Sequence, residues 1–293
     1  MNITDFKEGF QENDEQRSAF IKMLLNTEPR KQYKESRFQN TIPKILVRYW
    51  HDLNDIPDDV SECLKSWESL RNSGFKIITF YDDSATRFIE SHYNIEHIRA
   101  FRRCHHPAMR SDYFRLCYVL QLGGFYVDAD DVMTGGEWKF LYENDRLKLQ
   151  PLCYNIATSS MESSSTIWKA ALPDRNLIFY ANNNPLVAPP GHPIVRKALD
   201  RATKALLHSN QALGIQSTTG PGNLTATLAG HARVLLLKGK ERDFSFMRDW
   251  HRLAATKWDL SYRNDARNWR NIRNYTRDSE QLLYSPSGKE KKA

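Results

Sequence analysis

Segments of β-strand composition alternate with segments of helical periodicity in the first half of the chain. The runs Lys44–Trp50 and Lys76–Tyr81 are rich in β-branched and aromatic residues, which favour strands. Between them, apolar residues of the segment 58–71 recur at the spacing that places them on one face of a helix. Such alternation predicts an α/β fold, in which helices cover the faces of a β-sheet.

The next helix and strand have well-marked ends. Pro107 suits the first turn of a helix, because its missing N–H would be unpaired there anyway, and Gly123-Gly124 ends that helix after Leu122. A short strand follows at 125–127, and acidic residues stand directly after it. Ligands of α/β sheets bind at the carboxyl ends of strands, so this turn is the first candidate for a functional site.

The remaining chain is predicted to form one domain with an extension at each end. Further strands are predicted at 152–156, 177–180 and 234–237, and helices at 193–207 and after Pro221. Residues 1–40 are polar and helix-compatible, and we predict an N-terminal helical extension there. The main domain is predicted to span 41–284 with a helical C-terminal segment, and 285–293 to be a disordered tail.

Positive charge is concentrated near the C-terminus. The net charge is +7, and the residues from Arg233 onward carry fifteen Lys and Arg against eight Asp and Glu, whereas the first 232 residues are balanced. A basic segment of this kind can bind nucleic acid, an anionic membrane surface or a substrate that carries a diphosphate. Nucleic acid is the weakest of these three partners, because no RNA- or DNA-binding motif accompanies the charge.

No feature of the sequence indicates export or insertion into a membrane. No segment approaches the roughly 18 consecutive apolar residues of a membrane span, and the charged N-terminus is unlike a secretory signal. The four cysteines have no metal-binding or CxxC spacing and are predicted to be buried free thiols. We therefore expect a cytoplasmic protein, with the basic C-terminal segment as its one candidate for contact with the inner membrane face.

The acidic turn carries Asp128, Asp130 and Asp131 within four positions. Like charges this close raise one another's pKa and oppose folding unless a cation compensates them. Carboxylate oxygens are preferred ligands of hard divalent ions, and the i, i+2 spacing of Asp128 and Asp130 points both the same way at a strand end. A metal there could stabilise a departing diphosphate. The alternatives are a solvated acidic turn or an EF-hand, and the latter lacks its required Gly and Glu.

The helix before this turn carries a second charged pair. Asp112 and Arg115 lie three residues apart and therefore share one face of the helix. A carboxylate that accepts hydrogen bonds beside a guanidinium that donates them suits a hydroxyl-rich sugar. The alternative for such a pair is an ion pair on the helix surface, which would contribute only about 0.3–0.5 kcal/mol.

Three motifs, in their order and spacing over residues 42–132, resemble the DXD sugar-transferase family. That family includes fungal initiating mannosyltransferases, bacterial capsular polysaccharide transferases and, more distantly, the large clostridial glucosylating toxins. The motifs are Ile42-Pro43-Lys44-Ile45 with Trp50, then Arg110-Ser111-Asp112-Tyr113-Phe114-Arg115, and then Gly123-Gly124-Phe125-Tyr126-Val127-Asp128-Ala129-Asp130.

The resemblance implies a GT-A fold, which is a Rossmann-like mixed sheet flanked by helices. It also implies a nucleotide-sugar donor, Mn²⁺ or Mg²⁺, and transfer with retention of anomeric configuration. Trp50 would then stack on the nucleobase, and Asp112 and Arg115 would hold the donor sugar. Asp128 would contact the ribose and the sugar, and it would share the metal with Asp130, the direct ligand.

Looser likenesses to the same family lie further along the chain. Asn184, which precedes the Gly-His-Pro turn at His192, would lie near the sugar, and the segment 219–221 resembles a Thr-Gly-Pro signature. His251 with Trp258 is similar to a C-terminal His…Ser-Trp motif, although Lys257 stands here in place of the serine. The resemblance implies that His251 touches the metal or the diphosphate.

Three hypotheses about function follow. The first is a metal-dependent retaining glycosyltransferase that moves a hexose from a UDP- or GDP-sugar to a glycan or lipid-linked acceptor, as in polysaccharide or lipopolysaccharide synthesis. The second is a glycosyltransferase effector that modifies a protein. The third, from another class, is a non-catalytic module whose basic C-terminal face binds nucleic acid or a membrane surface.

Overall fold

The alternating segments form a mixed β-sheet covered by helices, so the predicted α/β class is confirmed. The computed structural model describes residues 2–28, 42–169, 175–208 and 214–271. Its strands are β1 (Ile45–Tyr49), β2 (Lys76–Phe80), β3 (Gly124–Tyr126), β4 (Asp131–Met133), β5 (Leu147–Asn155), β6 (Ser160–Met161), β7 (Leu177–Ala188), β8 (Phe244–Phe246) and β9 (Ala254–Thr256). Its α-helices are α1 (Asp14–Asn26), α2 (Asp58–Ser66), α3 (Asp82–His92), α4 (Ile95–Arg103), α5 (Pro107–Leu122), α6 (Ser164–Lys169), α7 (Pro193–His208), α8 (Ile215–Thr218), α9 (Pro221–Leu237) and α10 (Trp250–Leu253).

Within the described residues, seven strands make the main sheet in the order β2-β1-β3-β7-β5-β6, and β8 pairs with β5. The strands β2, β1 and β3 run parallel, which is the expected result of the βαβ connections between them. The strand β7 runs in the opposite direction, because it pairs antiparallel with both β3 and β5. A separate antiparallel pair, β4 with β9, joins the segment after β3 to the C-terminal part of the chain.

The two faces of the sheet have separate hydrophobic cores. Successive side chains of a strand point to opposite faces, and β3 shows this directly. Tyr126 packs into a core with α1, α3, α4, α5, α7 and α9, whereas Phe125 and Val127 pack with Trp67 and Trp250 on the other face. Both faces of β3 are thus covered, which fixes the turn that follows it between two packed layers. No helix within the described residues is long and apolar enough to cross a membrane.

Two glycines let the helix α5 turn directly into β3. Gly123 ends the helix with a φ of +68°, and Gly124 follows with a φ of +111°. A Cβ at Gly123 would lie 2.7 Å from Pro190, and one at Gly124 would lie 2.8 Å from the carbonyl oxygen of Ile45. Only glycine fits both the backbone conformation and the space. This tight connection holds Asp112 and Arg115, on α5, close to the acids that follow β3.

Several predicted elements match the observed ones closely. The strands predicted from 44 and from 76, and the helices predicted from 107 and from 193, all begin and end within about two residues of the observed elements. The helix predicted over 58–71 is present as α2, followed by a 3-10 helix at Glu68–Ser73. The strands predicted at 152–156 and 177–180 are parts of the longer strands β5 and β7.

The predicted strand at 234–237 is wrong, because these residues form the last turn of α9. A run of four apolar residues fits a buried strand or a helix equally well, and no proline separates this run from the helix after Pro221. Val234 and Leu237 are exposed in the structure, at 43% and 48%. The C-terminal helical segment is also not found within the described residues, where short strands, α10 and single 3-10 turns follow α9.

The N-terminal helix is part of the main core. Residues 14–26 form α1, and its side chains Phe20, Ile21 and Leu24 are fully buried. The helix packs against β7 and α9, so the described part of the predicted extension is integral to the domain. Residues 29–40 of that extension and the predicted tail at 285–293 lie outside the described residues.

All four cysteines are free thiols with buried side chains, as the sequence predicted. Burial raises the pKa of the Cys63 thiol to about 11 and that of Cys104 well above its ordinary value. Cys63 and Cys104 are therefore protonated, and they serve as packing residues because only a thiolate is nucleophilic or ligates a metal.

Truncation of the N-terminal helix side chains tests whether the helix belongs to the core. Leu24→Ala should lower the free energy of unfolding by about 2–5 kcal/mol, because it leaves a cavity in a fully packed site. Gln16→Ala, at an exposed position of the same helix, should change it by less than about 0.5 kcal/mol. Urea unfolding followed by circular dichroism measures both, and equally small effects would mean that α1 is an appendage.

Candidate functional site

An open cleft of about 520 Å³ lies at the carboxyl ends of β1 and β3 and extends along β7 and β5. Its lining follows the order of the strands, from the end of β1 past β3 to β7, β5 and β6. From these strands and the turns after them come Tyr49, Trp50, Asp128, Ala129, Asp130, Asn182, Asn183, Asn184, Gln150, Leu152 and Met161. The other wall comes from α5, the segment 215–221 and a C-terminal segment.

Six of the residues singled out from the sequence meet at this cleft. They are Trp50, Asp112, Arg115, Asp128, Asp130 and Asn184. The structure does not bring His251 to this group. It lies exposed on α10, outside the lining of the cleft. The short helix carries Trp250 and Leu253 into a core, and that packing turns His251 outward.

The three acids after β3 have two different environments. Asp128 and Asp130 line the cleft, as the i, i+2 spacing predicts. Asp131 is 1% exposed and accepts hydrogen bonds from Thr256 at 2.6 Å and Asn184 at 2.8 Å. The first two acids are therefore available to a ligand, whereas the third anchors the turn to β9 and β7.

Asn184 holds both ends of the acidic turn. Its side-chain oxygen accepts the backbone N–H of Asp128 at 2.9 Å, and its amide nitrogen donates to the carboxylate of Asp131 at 2.8 Å. The residue is 6% exposed. Its position beside the cleft agrees with the predicted closeness to a sugar, but both ends of its amide already orient the acids. In this conformation its observed contacts are those of a positioning residue.

Arg115 is the positive charge in the floor of the cleft, which is the part of its lining that carries the acids Asp112, Asp128 and Asp130. Its guanidinium lies 2.6 Å from the carboxylate of Asp128 and 3.0 Å from that of Asp112, with 3% of the side chain exposed. It also donates to the backbone oxygen of Asn183 at 3.0 Å and lies over the ring of Tyr126, 4.4 Å from its centroid. The pair with Asp112 is thus buried, so the alternative of a surface ion pair is wrong.

Asp112 is also held by two hydrogen bonds from outside its own helix. Its carboxylate accepts a hydrogen bond from Asn183 at 2.8 Å and one from the hydroxyl of Thr219 at 3.4 Å. A Cβ on Gly220 would lie 3.3 Å from the same carboxylate, so the small residue allows this close approach. The Thr-Gly-Pro segment noted in the sequence therefore packs against Asp112.

The acids of the floor are held at an electrostatic cost. Burial raises the pKa of Asp128, and the neighbouring Asp130 and Asp112 raise it further, although Arg115 acts in the opposite direction. Burial and the same neighbouring acids, Asp130 and Asp128, also raise the pKa of Asp131. Burial raises the pKa of Asp112 as well, with Arg115 opposing it. One guanidinium thus compensates only part of the negative charge gathered here, so a further cation would stabilise the ionised form.

Trp50 contributes a mostly buried wall to the cleft. It is 8% exposed and packs with Val60, Cys63 and Leu260. Its indole N–H donates to the backbone oxygen of Asp55 at 3.0 Å. The ring of Tyr262 meets it edge-on, with centroids 5.4 Å apart. Stacking of Trp50 on a nucleobase stays a prediction that requires Tyr262 to leave this position.

A C-terminal segment, residues 257–271, crosses the cleft and is called the strap below. Its first residue, Lys257, donates its backbone N–H to the carbonyl oxygen of Asp130 at 2.8 Å. The side chains of Tyr262 and Arg263 then bind the carboxylate of Asp130 at 2.8 Å and 2.5 Å. The ion pair gives Asp130 a protein cation as its partner in this conformation.

The carboxylates of Asp128 and Asp130 suit a hard divalent cation. Among the residues that the structure describes, no set of three or more His, Cys, Asp or Glu side chains is arranged to enclose a metal ion. Two carboxylates on an open cleft instead fit an ion that takes its remaining ligands from water and substrate phosphates, as Mg²⁺ commonly does. The donor set thus fits a metal shared with a phosphate-bearing ligand.

Several residues of the site were missed from the sequence. Asn183, which binds Asp112, belongs to a run of three asparagines in β7, and that run in a buried strand was a usable signal. Tyr262 and Arg263 gave no specific signal beyond the general basic and aromatic character of the C-terminal segment. Their contact with Asp130 spans more than 130 positions of the chain, and only the pairing of β4 with β9 brings them there.

Comparison with known proteins identifies part of this chain. Residues 57–143 match the family described as "Glycosyltransferase sugar-binding region containing DXD motif". The match contains Asp112, Arg115, Asp128 and Asp130, and it agrees with the predicted resemblance to the DXD sugar-transferase family over this region. No curated protein is significantly similar in sequence.

Solved structures similar to this one include "PaToxG Glycosyltransferase". That structure is 15% identical in sequence, and the superposition covers 78% of this chain and 82% of the other with a TM-score of 0.44.

The raised pKa values predict an unusual pH dependence of stability in the metal-free protein. An Asp in the unfolded chain has a pKa near 3.9, so the folded state binds more protons above about pH 4, and its stability falls as pH rises. Asp131→Asn removes one of these acids. Relative to wild type, the variant should gain on the order of 1 kcal/mol between about pH 4.5 and pH 7.5.

Chemical unfolding of wild type and variant at both pH values measures this difference. Asp83→Asn, at an exposed position of α3, is the matched control and should show no such gain. A difference between Asp131→Asn and wild type that does not change with pH would contradict the account of the buried acid.

Proposed function

From the premise that residues 57–143 are a DXD-containing glycosyltransferase region, we propose that the protein transfers a hexose from a UDP- or GDP-sugar in a metal-dependent reaction. The acceptor is a hydroxyl of a glycan or a lipid-linked glycan. One observation supports this proposal above the others. Asp128 and Asp130 face an open cleft together, beside the buried guanidinium of Arg115.

The charges around the cleft suit a nucleoside diphosphate. The floor is acidic, at Asp128 and Asp130, whereas the strap carries Arg263, Arg267 and Arg270 along the facing rim. A cation on the acids and guanidinium groups opposite would bind a diphosphate from two sides. Part of the basic charge near the C-terminus thus lies at the cleft. Of the three partners considered for that charge, this position supports a substrate that carries a diphosphate.

Mn²⁺ or Mg²⁺, when bound, supplies Lewis-acid stabilisation of the charge that develops on the departing diphosphate. Asp130 and Asp128 are the residues that would hold it. Asn184 fixes the backbone before these acids, and Asp131 anchors the turn behind them, so both carboxylates are oriented before a ligand arrives. Such preorganisation reduces the cost of reorganisation during the reaction.

Asp112 and Arg115 are proposed to bind the donor sugar. Both line the cleft, and each is held by several hydrogen bonds from β7, α5 and the segment at Thr219. A carboxylate accepts from sugar hydroxyls and a guanidinium donates to them, so the pair distinguishes hydroxyl positions. Their fixed geometry would hold the anomeric carbon in one place, which favours reaction with a positioned acceptor.

The acceptor is proposed to enter at the end of the cleft formed by β5, β6 and β7. The residues from these strands that line it are Gln150, Leu152, Met161 and Asn182, which are uncharged. Amides beside apolar side chains suit a neutral group with hydroxyls. Asp112 and Asp128, by contrast, are already bound to Arg115. We therefore infer retention through a short-lived ion pair on one face of the sugar, without a carboxylate nucleophile.

The metal dependence is the most direct test of this function. Purified protein should hydrolyse one UDP- or GDP-hexose slowly in the presence of Mn²⁺, because water can replace the acceptor. Asp130→Asn should lower that rate at least about 100-fold, which corresponds to about 2.7 kcal/mol of lost transition-state stabilisation. Release of UDP or GDP, followed by chromatography over a panel of donors, measures the rate.

Asp83→Asn removes a carboxylate from an exposed site outside the cleft and should leave the rate within about twofold of wild type. Hydrolysis that persists in Asp130→Asn, or that proceeds equally with the metal chelated, would overturn the proposed role of the acids.

A further inference from the structure

The strap covers the part of the cleft that the proposed function gives to the donor. Tyr262 lies edge-on against Trp50, the residue predicted to stack on the nucleobase. Arg263, the next residue, binds Asp130, the residue proposed to hold the metal. Two neighbouring side chains of one segment therefore occupy the positions of a nucleobase and a cation.

The contact of Arg263 with Asp130 is close and largely shielded from water. The guanidinium nitrogen lies 2.5 Å from a carboxylate oxygen, and the two side chains are 13% and 17% exposed. The hydroxyl of Tyr262 donates to the same oxygen at 2.8 Å. A metal cation on that oxygen would be repelled by the guanidinium of Arg263 and would compete with the hydroxyl hydrogen of Tyr262. Metal binding through that oxygen and this arrangement of Arg263 consequently exclude each other.

We propose that Arg263 exchanges partners during the catalytic cycle, binding Asp130 until the metal arrives and the diphosphate of the donor afterwards. This inference rests on the proposed function, since it concerns the same metal and donor. Before the exchange, the guanidinium neutralises an acid that would otherwise repel its neighbours Asp128 and Asp131. After the exchange, the same guanidinium binds the phosphates of the donor, which lie on the other side of the cation from Asp130. Arg263 is thus a positioning residue for the acid and a binding residue for the donor.

The exchange requires movement at Arg263, between points where the strap is anchored. The start of the strap is fixed by the pairing of β9 with β4 and by the bond from Lys257 to Asp130. Further along, Leu260 is buried beside Trp50, and Trp269 packs on the main core. The ion pair between Arg267 and Asp55, whose side chain is 70% exposed, lies instead at the surface. Such pairs contribute only about 0–1 kcal/mol each. Trp258, which belongs to the strap and is 59% exposed, has its ring centroid 4.6 Å from the guanidinium of Arg263.

Binding of Mn²⁺ alone, followed by electron paramagnetic resonance, tests the exchange without turnover. Arg263→Ala should bind Mn²⁺ about five- to tenfold more tightly than wild type, because the competing cation is gone. With Mn²⁺ saturating, the same variant should bind UDP and GDP several-fold more weakly, because the diphosphate loses a partner. A residue with only a structural role would not move these two affinities in opposite directions.

Arg252→Ala is the matched control for metal binding, since it removes an exposed arginine outside the cleft lining that pairs with Asp249 instead of Asp130. It should change the Mn²⁺ affinity by less than about twofold. Hydrogen exchange of residues 257–271 should become faster in wild type when Mn²⁺ is added, because the strap loses its bond to the acid. Arg263→Gln serves as a second variant should the alanine protein fail to fold.

The outcomes separate this inference from the proposed function. Wild type that binds no Mn²⁺, or Asp130→Asn that binds it equally well, would reject the metal site and the inference with it. Metal binding that depends on Asp130 but is the same in Arg263→Ala, Arg252→Ala and wild type would reject only the exchange. Weaker binding of both Mn²⁺ and nucleotide by the Arg263 variants would also reject it.

Discussion

The buried guanidinium of Arg115 is the interaction on which the candidate site depends. It lies between Asp112 and Asp128 and so joins the helix α5 to the turn after β3. Without it, three acids would face one another in a poorly solvated cleft, at a cost that would oppose folding. With it, the floor keeps a fixed geometry and a partly uncompensated negative charge. Both properties are what a site for a cation and a diphosphate requires.

The architecture explains how distant parts of the chain meet at this guanidinium. The two glycines after α5 send the chain straight into β3, which brings Arg115 beside Asp128. The antiparallel strand β7 next to β3 then supplies Asn183 and Asn184, which hold Asp112 and the acidic turn. The pairing of β4 with β9 adds the strap. The site is therefore assembled outside the carboxyl ends of the parallel strands β1 and β3, where open α/β sheets commonly bind ligands.

Local signals in the sequence predicted the first half of this site well. The ends of α5 are set by a proline and by glycines, and the strand before Asp128 is set by its own composition. These are properties of neighbouring residues, so the sequence alone was enough to locate both elements. The run at 234–237 was misassigned, because four apolar residues do not distinguish a strand from a helix end. The positions of Arg263 and His251 depend on long-range packing, and no local pattern could place one in the cleft and the other outside it.

The central claim is that the cleft binds a nucleoside diphosphate through a cation held by Asp128 and Asp130. Calorimetric titration of UDP and GDP into the full chain, with Mn²⁺ and again with the metal chelated, tests it most directly. The account predicts that one of the two nucleotides binds with Mn²⁺ at least about tenfold more tightly than without it. Equal affinity under both conditions, or no binding of either nucleotide, would contradict it.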